Sequence, residues 1–424
     1  MTQAPNSITT AEATKSESVS EPKWAVTLRA LRHRNFQLFF SGQLISLTGT
    51  WMQSIAQAWL VYRLTNSPLL LGAVGFASQF PVFLMAPLGG TVVDRTNRHR
   101  LIVITQATSM LLAGILAILT LTGRVQVWHV FVLAALLGVV NAFDIPGRQA
   151  FLVDMVGKDH LMNAIALNSS MFNGARVIGP AIAGILLIKI GEGWCFAANA
   201  ISYVAVIIGL LLMNVRSVPR AGKNSPIEDI IEGFRWANKT KVIRSLLLLI
   251  GLVSLVGMPY TVLMPVFADK ILHGGARALG ILMGATGVGA LLGALTLASK
   301  TGVKGLGRWV ALTCAGFGVS IFLFSFSRYF WLSALLLLPA GYSMMLQMAC
   351  SNTLIQTMVP DQLRGRVMAL YSMMFMGMAP FGALFGGALA QRAGAPVTVA
   401  VGGVACMIGA VWFCLLYTSP SPRD

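Results

Sequence analysis

The sequence predicts an all-α integral membrane protein, with twelve transmembrane helices in two pseudo-symmetric six-helix halves. Three observations carry that expectation. The chain is 56% hydrophobic and only 11% charged over 424 residues, whereas a soluble domain carries about a quarter charged residues. Its apolar residues gather into runs of roughly 20, the length that crosses ~30 Å of hydrocarbon. The second half of the chain also repeats the first at a constant lag of 203 residues. Trp128 meets Trp331, Gly138 meets Gly341, and Met155-Val156 meets Met358-Val359. Then Leu167, Ser169, Met171, Phe172, Gly174, Gly179, Gly184 and Leu186 meet Leu370, Ser372, Met374, Phe375, Gly377, Gly382, Gly387 and Leu389 without a gap. A displacement of six spans leaves the halves parallel, related by an axis along the membrane normal.

The candidate spans are 36–60, 69–90, 101–121, 127–143, 164–188, 194–213, 246–267, 279–298, 310–326, 331–348, 367–390 and 397–416. Of the 31 Lys and Arg residues, 23 fall on the side shared by both termini, 7 on the other side, and Arg176 lies inside a span. The positive-inside rule therefore places both termini in the cytoplasm. The net charge of +17 is spread along one membrane face, which argues against nucleic acid as a partner. Residues 1–22 are rich in Ser, Thr, Ala and Glu, read as disordered, and lack the apolar core of a signal peptide. Residues 24–34 are basic and partly amphipathic, as in a segment lying along the interface. The expected organisation is a tail and interfacial segment at 1–34, a six-helix half at 35–214, a central cytoplasmic loop at 215–243, and a second half at 244–417. A short tail at 418–424 reads as truncated or foreign to the fold. Cys195, Cys314, Cys350, Cys406 and Cys414 show no paired spacing. No disulfide framework, metal site or cofactor is expected.

Several spans carry polar residues that hydrocarbon would reject. In span 1, Gln43, Ser46, Thr50, Gln53 and Gln57 recur at i, i+3, i+7, i+10 and i+14, which puts them on one helix face. Such a stripe turns away from lipid, toward a wet cavity or a neighbouring helix; the three glutamines favour the cavity. Span 4 ends with Asn141, Asp144 and Arg148 on one face, followed by a short connection at 153–160. Asp144 is the carboxylate nearest the membrane interior, which makes Asp144, with Arg148 or Arg176 as its partner, the candidate proton site. A local ion pair at a helix end is nearly as good a reading. In span 5, Ser169, Asn173, Arg176 and Pro180 share a face, and Arg176 lies midway along the span. Its counterpart in the repeat is Ala379, so this charge belongs to one half only.

The turn between spans 2 and 3 reads Gly89-Gly90-Thr91-Val92-Val93-Asp94-Arg95-Thr96-Asn97-Arg98-His99-Arg100. Gly90, Asp94, Arg95 and Arg98 match the signature loop of the major facilitator superfamily, which the chain resembles over about residues 30–416. Asn97 stands where the pattern has its second Gly, and His99-Arg100 replaces the second basic residue. Asn tolerates positive φ, so the turn is expected to survive. Gly179, Pro180 and Gly184 resemble the fifth-helix packing motif of the superfamily's exporters, with Ala175 and Ala183 in place of two further glycines. The stretches 144–149 and 168–180 resemble the branch of bacterial efflux proteins that includes enterobactin export.

The resemblance implies alternating access, with the two halves rocking around a midplane site. It also implies a latch formed by Gly90, Asp94, Arg95 and Arg98 against Arg364 and Arg366 at the start of span 11. The expected function is export of a small molecule such as a siderophore, drug or other metabolite, coupled to protons. The expected setting is the bacterial inner membrane, with the lipid bilayer, protons and substrate as partners and a monomer as the working unit. No Gly-x-x-x-x-Gly-Lys-Ser/Thr motif is present, which disfavours ATP-driven transport. A nutrient importer of the same fold and a non-transporting sensor or scaffold are the rivals. An enzyme is disfavoured, because no nucleophile–base pair or metal-ligand cluster is visible.

Overall fold

In the computed structural model, residues 28–157, 159–215, 226–298 and 305–418 are described. After a turn of 3₁₀ helix at Leu28–Arg32, the first half consists of α1 (Arg34–Thr65), α2 (Pro68–Arg95), α3 (Arg98–Leu121), α4 (Val127–Val156), α5 (Leu161–Lys189) and α6 (Gly191–Leu211). An amphipathic linker helix, α7 (Pro226–Lys239), leads to the second half. There α8 (Lys241–Ile271), α9 (Gly275–Ala298), α10 (Leu306–Phe326), α11 (Phe330–Met358), α12 (Asp361–Ala393) and α13 (Ala395–Thr418) follow. Eleven of the helices are long and apolar enough to cross a membrane. The twelfth, α1, has 32 residues, or about 48 Å at 1.5 Å per residue; its polar stripe dilutes its hydropathy. Among the described residues every element is helical.

Local chemistry sets most helix ends. Ser67 caps α2 by accepting from the Leu70 amide, with Pro68 in the first turn, where its missing N–H costs nothing. Asn66 closes α1 in the left-handed region at φ 49°. Two expectations need correction. Asn97 does not supply a positive φ: at φ −71° it is the N-cap of α3, its side chain accepting from the Arg100 amide at 3.1 Å. That use suits a short polar side chain at a helix start. Nor does α4 end before Asp144. The helix runs on through Pro146 and Gly147 to Val156, as membrane helices do when neighbouring helices absorb the lost hydrogen bond. Asp144 is therefore well inside the helix, and the connection to α5 shortens to 157–160.

Within each half the helices pack in the same pattern, and glycines permit the closest crossings. A Cβ built on Gly138 would lie 2.5 Å from the Ser78 carbonyl oxygen of α2, and its repeat, Gly341, sits still more tightly against the Thr286 carbonyl of α9. The same symmetry governs the contact between halves. Gly184 of α5 faces Gly280 of α9, where an added Cβ would come within 2.8 Å of the Gly280 Cα. Gly387 of α12 faces Gly72 of α2, with a corresponding 2.9 Å. Both crossings lie toward the far face, opposite the terminus face that carries Leu28, Thr418 and α7. Ser67 donates to Gln391 Oε1 at 3.1 Å there, and the Lys270 ammonium sits 5.9 Å above the Tyr62 ring. Those two contacts also join one half to the other, so the far face is closed. Toward the terminus face, Met162, Ile165, Ala166, Ser169 and Ser170 of α5 are exposed.

Candidate functional site

The first half holds a buried polar network. Asp144 is 3% exposed and accepts from Thr105 Oγ1 at 2.8 Å and Gln106 Nε2 at 2.9 Å, both on α3. Arg148, one turn along α4, brings its Nε to 2.7 Å from Asp144 Oδ2. That approach is an ion pair without hydrogen-bond alignment. Tyr203 of α6 lies within the field of both charges, and its hydroxyl is 3.5 Å from Thr50 Oγ1. Farther along the α1 stripe, Asn199 of α6 donates to Gln53 Oε1 at 2.6 Å, and Ser202 donates to Asn199. Gln43, Ser46 and Gln53 are buried where α1 meets α6, whereas Thr50 and Gln57 are half-buried. The Gln43 Nε2 has no partner among the described residues.

Arg176 stands apart from this network. Its guanidinium lies 5.7 Å from the centroid of the Trp51 ring, a cation–π contact worth ~0.5–2 kcal/mol. Trp51 is braced by Phe172, edge-on at 5.7 Å, and by Gly179, where a Cβ would fall 2.5 Å from the Trp51 Cβ. Across the interface Tyr260 of α8 lies within electrostatic reach of Arg176. No carboxylate pairs with Arg176 among the described residues. Asn173, one turn earlier, is half-buried and donates to the Ser169 carbonyl. Gly179 and Pro180 pack α5 on α1 and α9, and Gly184 packs it on α9. Where α2 meets α12, Phe76, Phe80 and Phe83 of α2 surround Phe381 of α12 at 5.9–6.1 Å between centroids, so aromatic rings also join the halves.

At the terminus face, Arg98 is 4% exposed and donates to both carboxylate oxygens of Asp154 at 3.2 Å. This contact ties α3 to α4 within one half. Arg95 is exposed in the last turn of α2, where a cation complements the helix dipole. No described atom lies within 4 Å of a Cβ built on Gly90. Arg364 Nε donates to the Gln356 carbonyl at 3.1 Å, and Arg366 pairs with Glu232 of α7 at 2.5 Å. The side chain of Asp94 lies outside the described residues, as do Lys158, residues 1–22, and the basic residues at 216–223 and 300–304.

The transmembrane secretion effector family matches residues 25–421. The chain belongs to that family, within the major facilitator superfamily. It is similar to the staphyloferrin A transporter of Staphylococcus aureus, at 29% identity over 82% of this chain and 87% of that protein. It is also similar to the enterobactin exporter EntS of Shigella boydii, at 24% identity over 84% and 85%. Its fold matches that of the nucleoside transporter NupG with a TM-score of 0.71 at 12% identity, over 91% of this chain and all of that one. The protein is accordingly a multi-pass membrane transporter and not an enzyme. Thr105, Gln106, Asn199, Ser202 and Tyr203 were missed in the sequence reading. A signal was available, since each is a hydrogen-bonding residue inside an apolar run, with Asn199, Ser202 and Tyr203 at i, i+3 and i+4.

Proposed function

We propose that this secretion effector exports a small anionic chelator of the siderophore type across the bacterial inner membrane, by alternating access coupled to protons. The observation that carries the reading is Arg176, a cation midway along α5 at the contact between halves, held by an aromatic ring and, among the described residues, by no carboxylate. A charge in that position is costly, and cations retained inside a membrane mark substrate or ion pathways. Siderophores enter the reading from the two transporters to which the chain is similar, and export enters from the family's secretory character. The excess of basic residues at the terminus face makes that face cytoplasmic. Substrate enters from there, between the exposed inner turns of α5 and the second half, and meets Thr50, Gln57, Asn173 and Arg176. Gln43, Ser46 and Gln53 support that wall by fastening α1 to α6. Asp144, poised against Arg148, takes up and releases the proton. Membrane potential supplies about 2.3 kcal/mol per charge per 100 mV for the exchange.

The test is efflux of carboxylate and catechol siderophores, and of neutral dyes, from cells with and without the protein. Arg176→Gln should raise the substrate concentration needed for half-maximal efflux by roughly tenfold or more, as loss of one partner of a charge pair does, while Arg176→Lys retains part of the affinity. Folded yield should stay near normal. Unchanged efflux by Arg176→Gln, or efflux of neutral dyes alone, overturns the anionic substrate. Accumulation inside cells instead of release reverses the direction.

A further inference from the structure

The transport reading leaves unused a groove at the terminus face, where α7 crosses α8 and α12. It is shallow and open, with a cavity volume of about 70 Å³. Phe234 of α7, Leu247 and Leu248 of α8, and Leu370 and Met374 of α12 form its walls. Asn238 and Arg244 supply its polar lining. Phe234 and Leu248 are 60% and 50% exposed, so the groove opens sideways, toward the surroundings of the bundle.

Two chemistries meet in this groove. Its walls suit hydrocarbon, and its depth fits that choice, because Leu247 and Leu248 lie within the first two turns of a membrane span. Its mouth suits an anion. Arg244 is exposed, and its guanidinium has no hydrogen bond or ion pair among the described residues. Arg235, Lys239 and Lys241 nearby are likewise exposed and unpaired. The one carboxylate of α7 whose side chain is described, Glu232, is engaged with Arg366. A soluble anion has no use for apolar walls, and the cationic group of a zwitterionic lipid would meet these four cations. Basic pockets between membrane helices recruit anionic headgroups on these terms.

We propose that the groove binds an anionic phospholipid of the adjoining leaflet, with its acyl chain between α7, α8 and α12 and its phosphate on Arg244 and Asn238. The lipid then acts on the linker. The Glu232–Arg366 pair and the close seat of Gly233, where a Cβ would lie 2.9 Å from the Arg366 Cβ, already hold α7 on the first turns of α12. An acyl chain fills the space left between those helices and clamps α7 in place.

The experiment uses the full chain, taken from nanodiscs of equimolar phosphatidylglycerol and phosphatidylcholine, with retained lipid counted by native mass spectrometry. Phosphatidylglycerol should be retained several-fold over phosphatidylcholine, and Arg244→Gln should cut that preference about fivefold, the weight of one surface cation. Phe234→Gln, an exposed position, should lower retention of both lipids without changing folded yield. Equal retention of the two lipids by the unaltered protein overturns the proposal, leaving a groove that takes any hydrocarbon. So does a preference untouched by Arg244→Gln, which places the anionic lipid elsewhere, or displacement of phosphatidylglycerol by inorganic phosphate alone, which makes the occupant a soluble anion.

Discussion

The two halves close the same helix crossings and bury different chemistry in them. Positions 203 apart in α4 and α11 make the contrast direct. Where the first half has Asp144 and Arg148, the second has Gln347 and Ser351. These are 1% and 0% exposed, and the Gln347 amide nitrogen and Ser351 hydroxyl find no partner among the described residues. Where the first half has Arg176, the second has Ala379. Packing alone does not demand the charges, because the second half closes without them. The helices at the front of each half differ as well. α1 is a regular helix, whereas α8 contains π-helical turns at Val253–Gly257 and Phe267–Ile271 on either side of Pro259 and Pro265, which donate no hydrogen bond. Such turns mark places where a helix is re-aimed or bends. The first half is chemically specialised, and the second is specialised in helix geometry.

The largest test of this asymmetry is at Asp144. Asp144→Asn leaves Arg148 facing a neutral group. The loss is about 3–5 kcal/mol for a fully buried pair and smaller here, because the Arg148 side chain is 22% exposed. The single variant should lose stability and pH-gradient-driven efflux together. Asp144→Asn with Arg148→Gln should recover the unfolding temperature but not the coupling. Gln347→Ala and Ser351→Ala in the second half should leave coupling intact. Proteoliposome efflux with and without a pH gradient, alongside thermal unfolding, separates these outcomes. Coupled efflux in the double variant would reduce the first-half network to a packing device.

The symmetric part of the comparison predicts equal responses. Gly184→Ala and Gly387→Ala each push a methyl group into backbone of the opposite half, at the 2.8 Å and 2.9 Å approaches of Gly184 to Gly280 and Gly387 to Gly72. Each should open the far face. A shift of ~1.4 kcal/mol changes the population ratio about tenfold. Probe distances across the far ends of α5 and α9, and of α2 and α12, would report it. A response confined to one glycine would show that one crossing bears the closure and that the pseudo-symmetry is only of shape.

What could be read from the sequence follows the same division. The repeat identified Gly184 with Gly387 because that stretch carries no insertion. Their partners, Gly72 and Gly280, are 208 apart (280 − 72) rather than 203, so the constant lag passed over them. The α1 stripe was legible as a face from its spacing. What the face meets was not, since the Gln53–Asn199 contact joins residues 146 apart and leaves no local trace. The apolar run of span 4 breaks at Asp144, so hydropathy places that carboxylate at a span end, whereas the helix continues through Pro146, which would cost an isolated helix a hydrogen bond. In a bundle the neighbouring helices remove that penalty. Asn97 was assigned a backbone conformation when its use is a side-chain cap, which local propensity does not separate from a turn.

The smallest expected effect concerns the loop that opens α3, where the halves also differ. The corresponding connection in the second half, between α9 and α10, is basic but has no carboxylate. Asp94, in the last turn of α2, is proposed to meet the start of α12 near Arg364 and Arg366 when the terminus face closes. A carboxylate near a helix N-terminus gains roughly 0.3–1 kcal/mol, and an arginine adds a charge-assisted bond. In the state described, with the far face closed, Arg366 holds Glu232 of α7, so α7 and Asp94 call on the same guanidinium. A contact made only when the terminus face is closed biases the protein toward that state. Asp94→Asn should therefore favour opening of the terminus face by up to about fivefold and slow the cycle, with substrate affinity unchanged. Glu232→Gln, which removes the competing carboxylate, should act in the opposite sense. Distances between probes on the terminus-face ends of α2 and α12 distinguish the two directions. If both variants shift the distribution the same way, Asp94 and Glu232 are parts of one clamp and the latch is not a competition between them. If neither shifts it, Arg366 serves only to seat the linker helix.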